Sequence, residues 1–367
     1  MTEVAQHQEM ARTVPLSALF TAFLAVSLFG VGGGGGIVWA RRIAVETRRW
    51  ISDREFADIV SLCQFMPGPN IVGIAVCIGT KMRGTIGAMA ALAGFLVIPW
   101  SLGLALGLLC LEYAHLPVLR NILGGIAATA AGLLLATGVR LLLPHRRRPA
   151  ALVFAALSFG LIAFGGLLLL VVLFGLVPLS RCRRRGGQSS MTDPSAPIAL
   201  TAHLALVSSI SFGGFPTVLP DVRNFVVVTH GWMTNQEFAN IFAMAQSIPG
   251  PNMILMMGLV GWKVWGFPGA VASAFATFGP PCTMYFTAYR LWDRFRDAPW
   301  QRIVRLGLVP VIMGLVIAGG TVMARAADTS WRAIAVTIAA AAITLATRLS
   351  PMWMLLVGGA LGGLGLL

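Results

Sequence analysis

Long apolar runs, each closed by a short basic or polar stretch, organise this chain from Leu16 onward. In the first half they cover about residues 16–39, 56–79, 86–111, 122–143 and 150–179. The second half repeats the series at about 198–219, 238–260, 269–289, 306–324 and 333–367. Each approaches or exceeds the ~20 residues that a helix needs to cross a bilayer. The pattern predicts an all-α polytopic membrane protein with about ten hydrophobic segments. The first run lacks a small-residue cleavage site and reads as a retained helix rather than a signal peptide.

Two runs in each half do not fit a simple span. The second carries Pro-Gly-Pro-Asn near its centre, and proline removes a donor and disfavours helix in the preceding residue. Backbone freed in this way survives at membrane depth only inside protein or beside a water-filled cavity. The fifth is too long for one helix, since ~30 residues at 1.5 Å each extend ~45 Å. Its partner in the second half breaks at Arg348-Leu-Ser-Pro351. All four are expected to be re-entrant or broken helical hairpins.

The halves also match residue by residue. Trp50 to Gly84 aligns without a gap on Trp232 to Gly266 at an offset of 182, with 13 of 35 positions identical. Shared are Glu55/Glu237, Gln64/Gln246, Pro67-Gly68-Pro69-Asn70/Pro249-Gly250-Pro251-Asn252, Gly79/Gly261 and Lys81/Lys263. A repeat of half the chain in so apolar a sequence points to a pseudosymmetric transporter. Residues 1–180 form one half, 181–197 a polar cytoplasmic linker and 198–367 the other half. Three full crossings and two hairpins per half would reverse the chain's side, which makes the repeat inverted.

Charge supports that orientation. A net charge of +14 could suggest nucleic acid, but the arginines sit in short stretches between apolar runs, as the positive-inside rule describes. Arg41, Arg42, Arg48, Arg49, Arg54, Arg83, Arg146 to Arg148 and Arg181 to Arg185 fall on one face. An inverted second half adds Arg290, Arg294, Arg296, Arg302 and Arg305 to it. That face is expected to be cytoplasmic. A mean hydropathy of +0.82 with 11% charged residues lies far from soluble proteins. Five cysteines and five histidines show no metal or redox spacing. No catalytic pair is spaced for work at membrane depth, so no enzyme and no cofactor are expected.

Several residues could carry transport chemistry. A half-helix that starts after each Pro-Gly-Pro-Asn break aims free N–H groups and partial positive charge into the membrane. Two such ends facing each other would cradle an anion, with Gln64, Gln246, Asn70 and Asn252 nearby. The alternative is a pair of tight kinks. Glycine tracts recur as Gly30, Gly32 and Gly33 in the first half and Gly213-Gly214 in the second, serving close helix packing or backbone contact with ligand. Lys81 and Lys263 are the only lysines among 27 basic residues. They either snorkel at helix ends or steer anions inward. Ser52-x-x-Glu55 and Thr234-x-x-Glu237 match the capping box. Glu46, replaced by Val228 in the repeat, is an option for one-sided proton coupling.

These residues resemble a known family. Phe29-Gly30, Glu46 to Trp50, Phe56, Gln64, Pro67 to Asn70 and Gly79 to Gly87 are similar to the first half of the chromate ion transporters. Phe212 to Gly214, Trp232, Phe238, Gln246, Pro249 to Pro251, Gly261 and Gly269 are similar to its second half. The first glycine segment departs from the family's Phe-Gly-Gly-Pro and has no histidine nearby. The resemblance implies a multi-pass carrier of the bacterial inner membrane that exports chromate or a related oxyanion, driven by membrane potential or proton gradient. Its long form fuses two halves and its short forms pair, so a homodimer is one option here. Sulfate or another anion as substrate, and a passive anion channel, are the alternatives.

Overall fold

A computed structural model describes residues 14–30, 35–113, 116–145, 149–163, 196–248, 250–295, 299–327, 330–347 and 349–366. Gly32, Gly33 and Pro249, residues 181–195 of the interhalf linker and the second part of the first half's fifth run lie outside the described residues. Every regular element among the described residues is helical. In the first half these are α1 Leu16–Phe29, α2 Gly35–Arg41, α3 Asp53–Phe65, α4 Asn70–Glu112, α5 Pro117–Leu142 and α6 Pro149–Ala163. In the second they are α7 Ala196–Ser209, α8 Leu219–Arg223, α9 Asn235–Ser247, α10 Asn252–Phe295, α11 Pro299–Ala327, α12 Trp331–Ala346 and α13 Pro351–Gly363. Helices α4, α5 and α10 are long and apolar enough to cross a membrane.

The first apolar run, expected as one span, is instead two helices that fold back on each other. Helix α1 stops at Gly30, and the ring of Phe29 stacks on Trp39 of α2 with centroids 5.2 Å apart. The glycine tract explains the break: each glycine costs a helix interior about 1 kcal/mol against alanine and offers no side chain to pack. The second half breaks at the same place, after α7, where Gly213 and Gly214 take φ of 81° and 98°. Both halves then pass through a π-helical turn, Arg42–Thr47 and Asn224–Thr229, again 182 residues apart.

Helix α3 and the first limb of α4 form an antiparallel hairpin. Ser52 and Glu55 complete a reciprocal capping box at its base, where Glu55 also pairs with Lys81. Farther along, Cys63 and Cys77 face each other with sulfurs 3.9 Å apart. Phe65 and Asn70 end the two limbs at the break. The copy in the second half has the same base, with the Thr234–Glu237 capping box and the Glu237–Lys263 pair.

At the base the chain reverses sharply. Gly84 takes φ 61°, ψ −145°, and Gly266 takes φ 62°, ψ −150°, a region that excludes side-chain-bearing residues. Beside the reversal a Cβ on Gly79 would stand 2.5 Å from the Gly87 carbonyl oxygen. The long limb of α4 that follows buries Ala88, Ala91, Pro99, Gly103 and Gly107 on one side. It exposes Ile86, Met89, Val97, Leu102, Leu106 and Leu109 on the other. Small residues predominate inside, beside Phe95, Leu96 and Leu104, and large apolar residues face outward, which suits a helix packed on protein and bathed by lipid.

Helices α5 and α11 occupy equivalent positions in the repeat and lie against each other. Gly138 sits on Ile317, while Leu135, the equivalent of Ile317, sits on Gly320, the equivalent of Gly138. Residue numbers rise along one helix as they fall along the other, so the two equivalents run antiparallel. Helices α12 and α13 flank α5. Thr337 donates to the Ala128 carbonyl at 3.0 Å, Arg140 to the Thr347 carbonyl at 2.9 Å, and Gly362 packs on Asn121. The fifth run of the second half therefore turns at residues 347–350 and comes back. Neither core belongs to one half alone, since Ile254, Ala274 and Tyr285 complete the first and Leu104, Leu123 and Leu134 join the second.

Candidate functional site

Both breaks follow from local chemistry. Pro67 and Pro69 lack N–H donors, and Gly68 between them takes φ 115°. Asn70 then opens the return limb, whose first turn leaves N–H groups without intrahelical acceptors. In the other half Gly250 takes φ 130°, and Asn252 opens the limb with its N–H on the Gly250 carbonyl at 2.9 Å. The two breaks are reciprocal in what they touch. Gly68 abuts Pro281, and Gly250 abuts Pro99, the residue 182 positions earlier. The Gly68 N–H donates to the Ser211 carbonyl at 3.1 Å, which ties the first break to the glycine break of the opposite half.

Around these breaks stand polar side chains that the motifs did not reveal. The Tyr285 ring covers Gly73, leaving 2.6 Å for any Cβ there, and Trp100 covers Gly258 with Nε1 3.0 Å from the equivalent point. Ser27 Oγ lies 3.7 Å from the Cβ position of Gly250. Tyr285 Oη, Trp100 Nε1, Ser27 Oγ and Asn70 Oδ1 are all buried, with no hydrogen-bond partner among the described residues. An aromatic residue in an apolar helix reads as packing, so only the fold marks these groups.

The residues singled out from sequence divide into those at the breaks and those elsewhere. Pro67, Gly68, Pro69, Asn70, Gly250, Pro251 and Asn252 are at the breaks. The Asn252 and Gln246 side-chain amides hydrogen-bond at 3.1 Å, whereas Gln64 is exposed. Gly30 packs against Gly36, and Gly36 against Ile71 at the start of the return limb. Gly213 packs on Ile312, leaving Gly214 as the cap of the turn that follows.

Lys81 and Lys263 lie at the hairpin bases, away from the breaks, each paired with the glutamate of a capping box. Burial pushes the Glu55 and Glu237 carboxyls up, but the lysine ammonium and the capping hydrogen bonds outweigh it and hold both below the ordinary carboxylate range. Glu46 pairs with Arg41 at 2.6 Å, with both side chains about half exposed. Arg41 also donates Nε to Asp53 at 2.8 Å, and Arg223 makes the same contact to Asn235 at the same distance in the repeat.

Comparison with known proteins bears on the whole chain. The sequence pattern described as "Chromate transporter" matches residues 17–179 and 198–363. A chromate transport protein of Pseudomonas aeruginosa is 28% identical over 351 residues, covering 87% of this chain and 83% of its own. One of Cupriavidus metallidurans is 25% identical over 312 residues, covering 77% and 76%. A probable chromate transport protein of Synechococcus elongatus is 26% identical, covering 72% and 73%. No solved structure matches the chain.

Proposed function

The chain belongs to the chromate transporter family, and from that premise we propose that it is a secondary carrier that moves chromate out across a bacterial inner membrane. The two halves are inverted in the bilayer, with residues 181–197 as a cytoplasmic linker. The antiparallel pairing of α5 with its own equivalent α11 supports inversion, because a two-fold axis along the membrane normal would make equivalents parallel. A second contact agrees. Past Pro99 the long limb of α4 places Gly103 on Leu255 and Gly107 on Leu259, moving away from its own hairpin base and toward the opposite base at Lys263.

The proposed substrate site is built from the two Pro-Gly-Pro-Asn breaks together, and the observation that supports this is their reciprocal seating on Pro281 and Pro99 of the opposite halves. Beyond the Gly68 and Asn252 N–H groups, which are already bonded, each break supplies further first-turn N–H groups and the positive end of a half-helix dipole. Trp100, Tyr285 and Ser27 supply N–H and O–H donors that lack acceptors among the described residues. A tetrahedral dianion such as chromate accepts from all of them. The site needs no metal or cofactor.

Export follows from charge. An inside-negative potential favours outward movement of a dianion by about 4.6 kcal/mol per 100 mV. Alternating access comes from one half rocking against the other about the fixed breaks. The paired carboxylate leaves each lysine a hairpin clamp first, with anion steering as its weaker role. The direct test is chromate accumulation in cells with and without the chain, repeated with excess sulfate. Lower accumulation in cells that carry the chain, relieved by sulfate competition, is expected. Equal accumulation would overturn chromate export, and flux that survives collapse of the ion gradients and potential would indicate a channel.

A further inference from the structure

Away from the breaks, the second half buries a histidine beside an aspartate. His203 of α7 and Asp221 of α8 approach to 2.9 Å between Nε2 and Oδ2, with side chains only 14% and 10% exposed. Neither atom has a hydrogen-bond partner among the described residues, so the contact is one of charge and distance rather than of ideal hydrogen-bond angle. The imidazole stacks on Phe225 at 3.8 Å and 5°. Phe225 in turn touches His230 and Trp232.

The fold does not require this pair. With the one-residue gap at the glycine tract, the first half has Phe20 and Trp39 at the two positions. A buried ion pair gives weak return on its desolvation, and ionisable groups at membrane depth are kept mainly where they act. The location is suggestive as well. Helix α8 follows directly on the Gly213–Gly214 break, whose Ser211 carbonyl holds the Gly68 N–H.

We propose that His203 and Asp221 form a one-proton site linked to anion binding at the two breaks, an inference that rests on the anion site proposed above. As imidazolium and carboxylate the pair carries no net charge. Loss of one proton from the imidazolium to water leaves a single negative charge on the segment that leads from the break. That charge opposes a dianion, so affinity for the anion falls when the proton leaves. By reciprocity, the anion draws the proton in when it binds. Imidazole is the side chain suited to such exchange between about pH 5 and 8.

Other charged groups face the pair less directly. His230 stands across Phe225, with Nδ1 3.1 Å from the Phe225 carbonyl oxygen. Arg223 follows Asp221 by two residues but turns to Asn235, and Arg325 of α11 lies near enough to act on Arg223. From α10, the helix packed on α7, the contact is the uncharged Thr277 carbonyl, which accepts from Ser208. Among the described residues, His230 is the other imidazole beside Phe225, which makes it the control.

The test uses the full-length protein. Proton uptake on adding chromate is read with an indicator dye in weak buffer against a protein-free blank, because chromate itself takes up a proton in this range, and affinity for the dianion form is followed from pH 5.5 to 8 in proteoliposomes. The wild type should take up a proton and lose affinity on the order of tenfold across that range. His203→Gln should abolish both effects and still transport, whereas His230→Gln should retain both. Transport-competent His203→Gln that keeps the proton uptake and the slope would overturn the proposal. If that variant does not insert, the wild type decides, since chromate binding without proton uptake sinks the proton site alone. A wild type that binds neither chromate nor sulfate removes the anion site and this inference together.

Discussion

The backbone N–H of Gly68 meets the carbonyl of Ser211 at 3.1 Å, joining the proline break of one half to the glycine break of the other. Two interruptions that look independent along the chain are thus one structure. Each is the kind of backbone that survives in a bilayer only when protein encloses it. Gly68 itself has φ 115° and abuts Pro281, so a methyl group there meets both strain and a clash. Gly68→Ala should cost about 1–3 kcal/mol of stability and reduce transport at least tenfold. Gly250→Ala should do the same against Pro99. Thermal melting in detergent alongside vesicle transport measures both effects, and unchanged melting would show that neither contact is tight.

The two asparagines should behave differently from each other. Asn252 has Gln246 as a side-chain partner, whereas Asn70 Oδ1 is buried with none among the described residues. Asn70→Ala should abolish chromate transport with membrane insertion and melting temperature intact. Asn252→Ala should abolish transport and also lower the melting temperature by a few degrees. Wild-type rates in both variants would remove the asparagines from the site.

Much of this architecture was legible because repetition doubles each signal. The capping boxes at Ser52 and Thr234, the paired breaks and the matched lysines all stand out once the halves are aligned. The end of the first helix is hidden in the sequence because hydropathy counts glycine as nearly neutral, so five glycines do not visibly interrupt the run. The partners of Lys81 and Lys263 were hidden by distance, since Glu55 lies 26 residues away and adjoins it only when the hairpin closes. Tyr285, Trp100 and the pairing of His203 with Asp221 are hidden for another reason, although Asp221 already stands out in the sequence as one of the few acidic residues away from a helix cap. They carry no repeat and no motif, and only tertiary packing reveals that their polar atoms lack company.

Lys81 offers a clean separation between clamp and attractor. As a clamp, Lys81→Met should lower the melting temperature by a few degrees while chromate affinity in the surviving protein stays near wild type. The exchanged pair Glu55→Lys with Lys81→Glu should recover part of the loss. The Glu55 carboxyl is held below its ordinary range, so the pair's contribution is present at neutral pH and fades as pH falls through that lowered value. The melting difference between wild type and Lys81→Met should therefore shrink in acid. A weakened, salt-sensitive apparent affinity with unchanged melting would favour steering instead.

The proposed inverted arrangement makes a sidedness prediction that depends on neither substrate nor mechanism. Arg83 and Trp265 occupy the same repeat position at the two chain reversals, beside Gly84 and Gly266. If the halves are inverted as proposed, in line with the antiparallel packing of α5 on α11, those reversals face opposite sides of the membrane. In a background with the five native cysteines replaced, Arg83→Cys should react with a membrane-impermeant maleimide only from the cytoplasmic side. Trp265→Cys should react only from the outside. The proposed topology puts Arg41, Arg42, Arg48 and Arg49 on the Arg83 side, and by the positive-inside rule that side is expected to be cytoplasmic. Labelling of both cysteines from the same side would reject the inversion, and the anion site between opposed half-helices would fall with it.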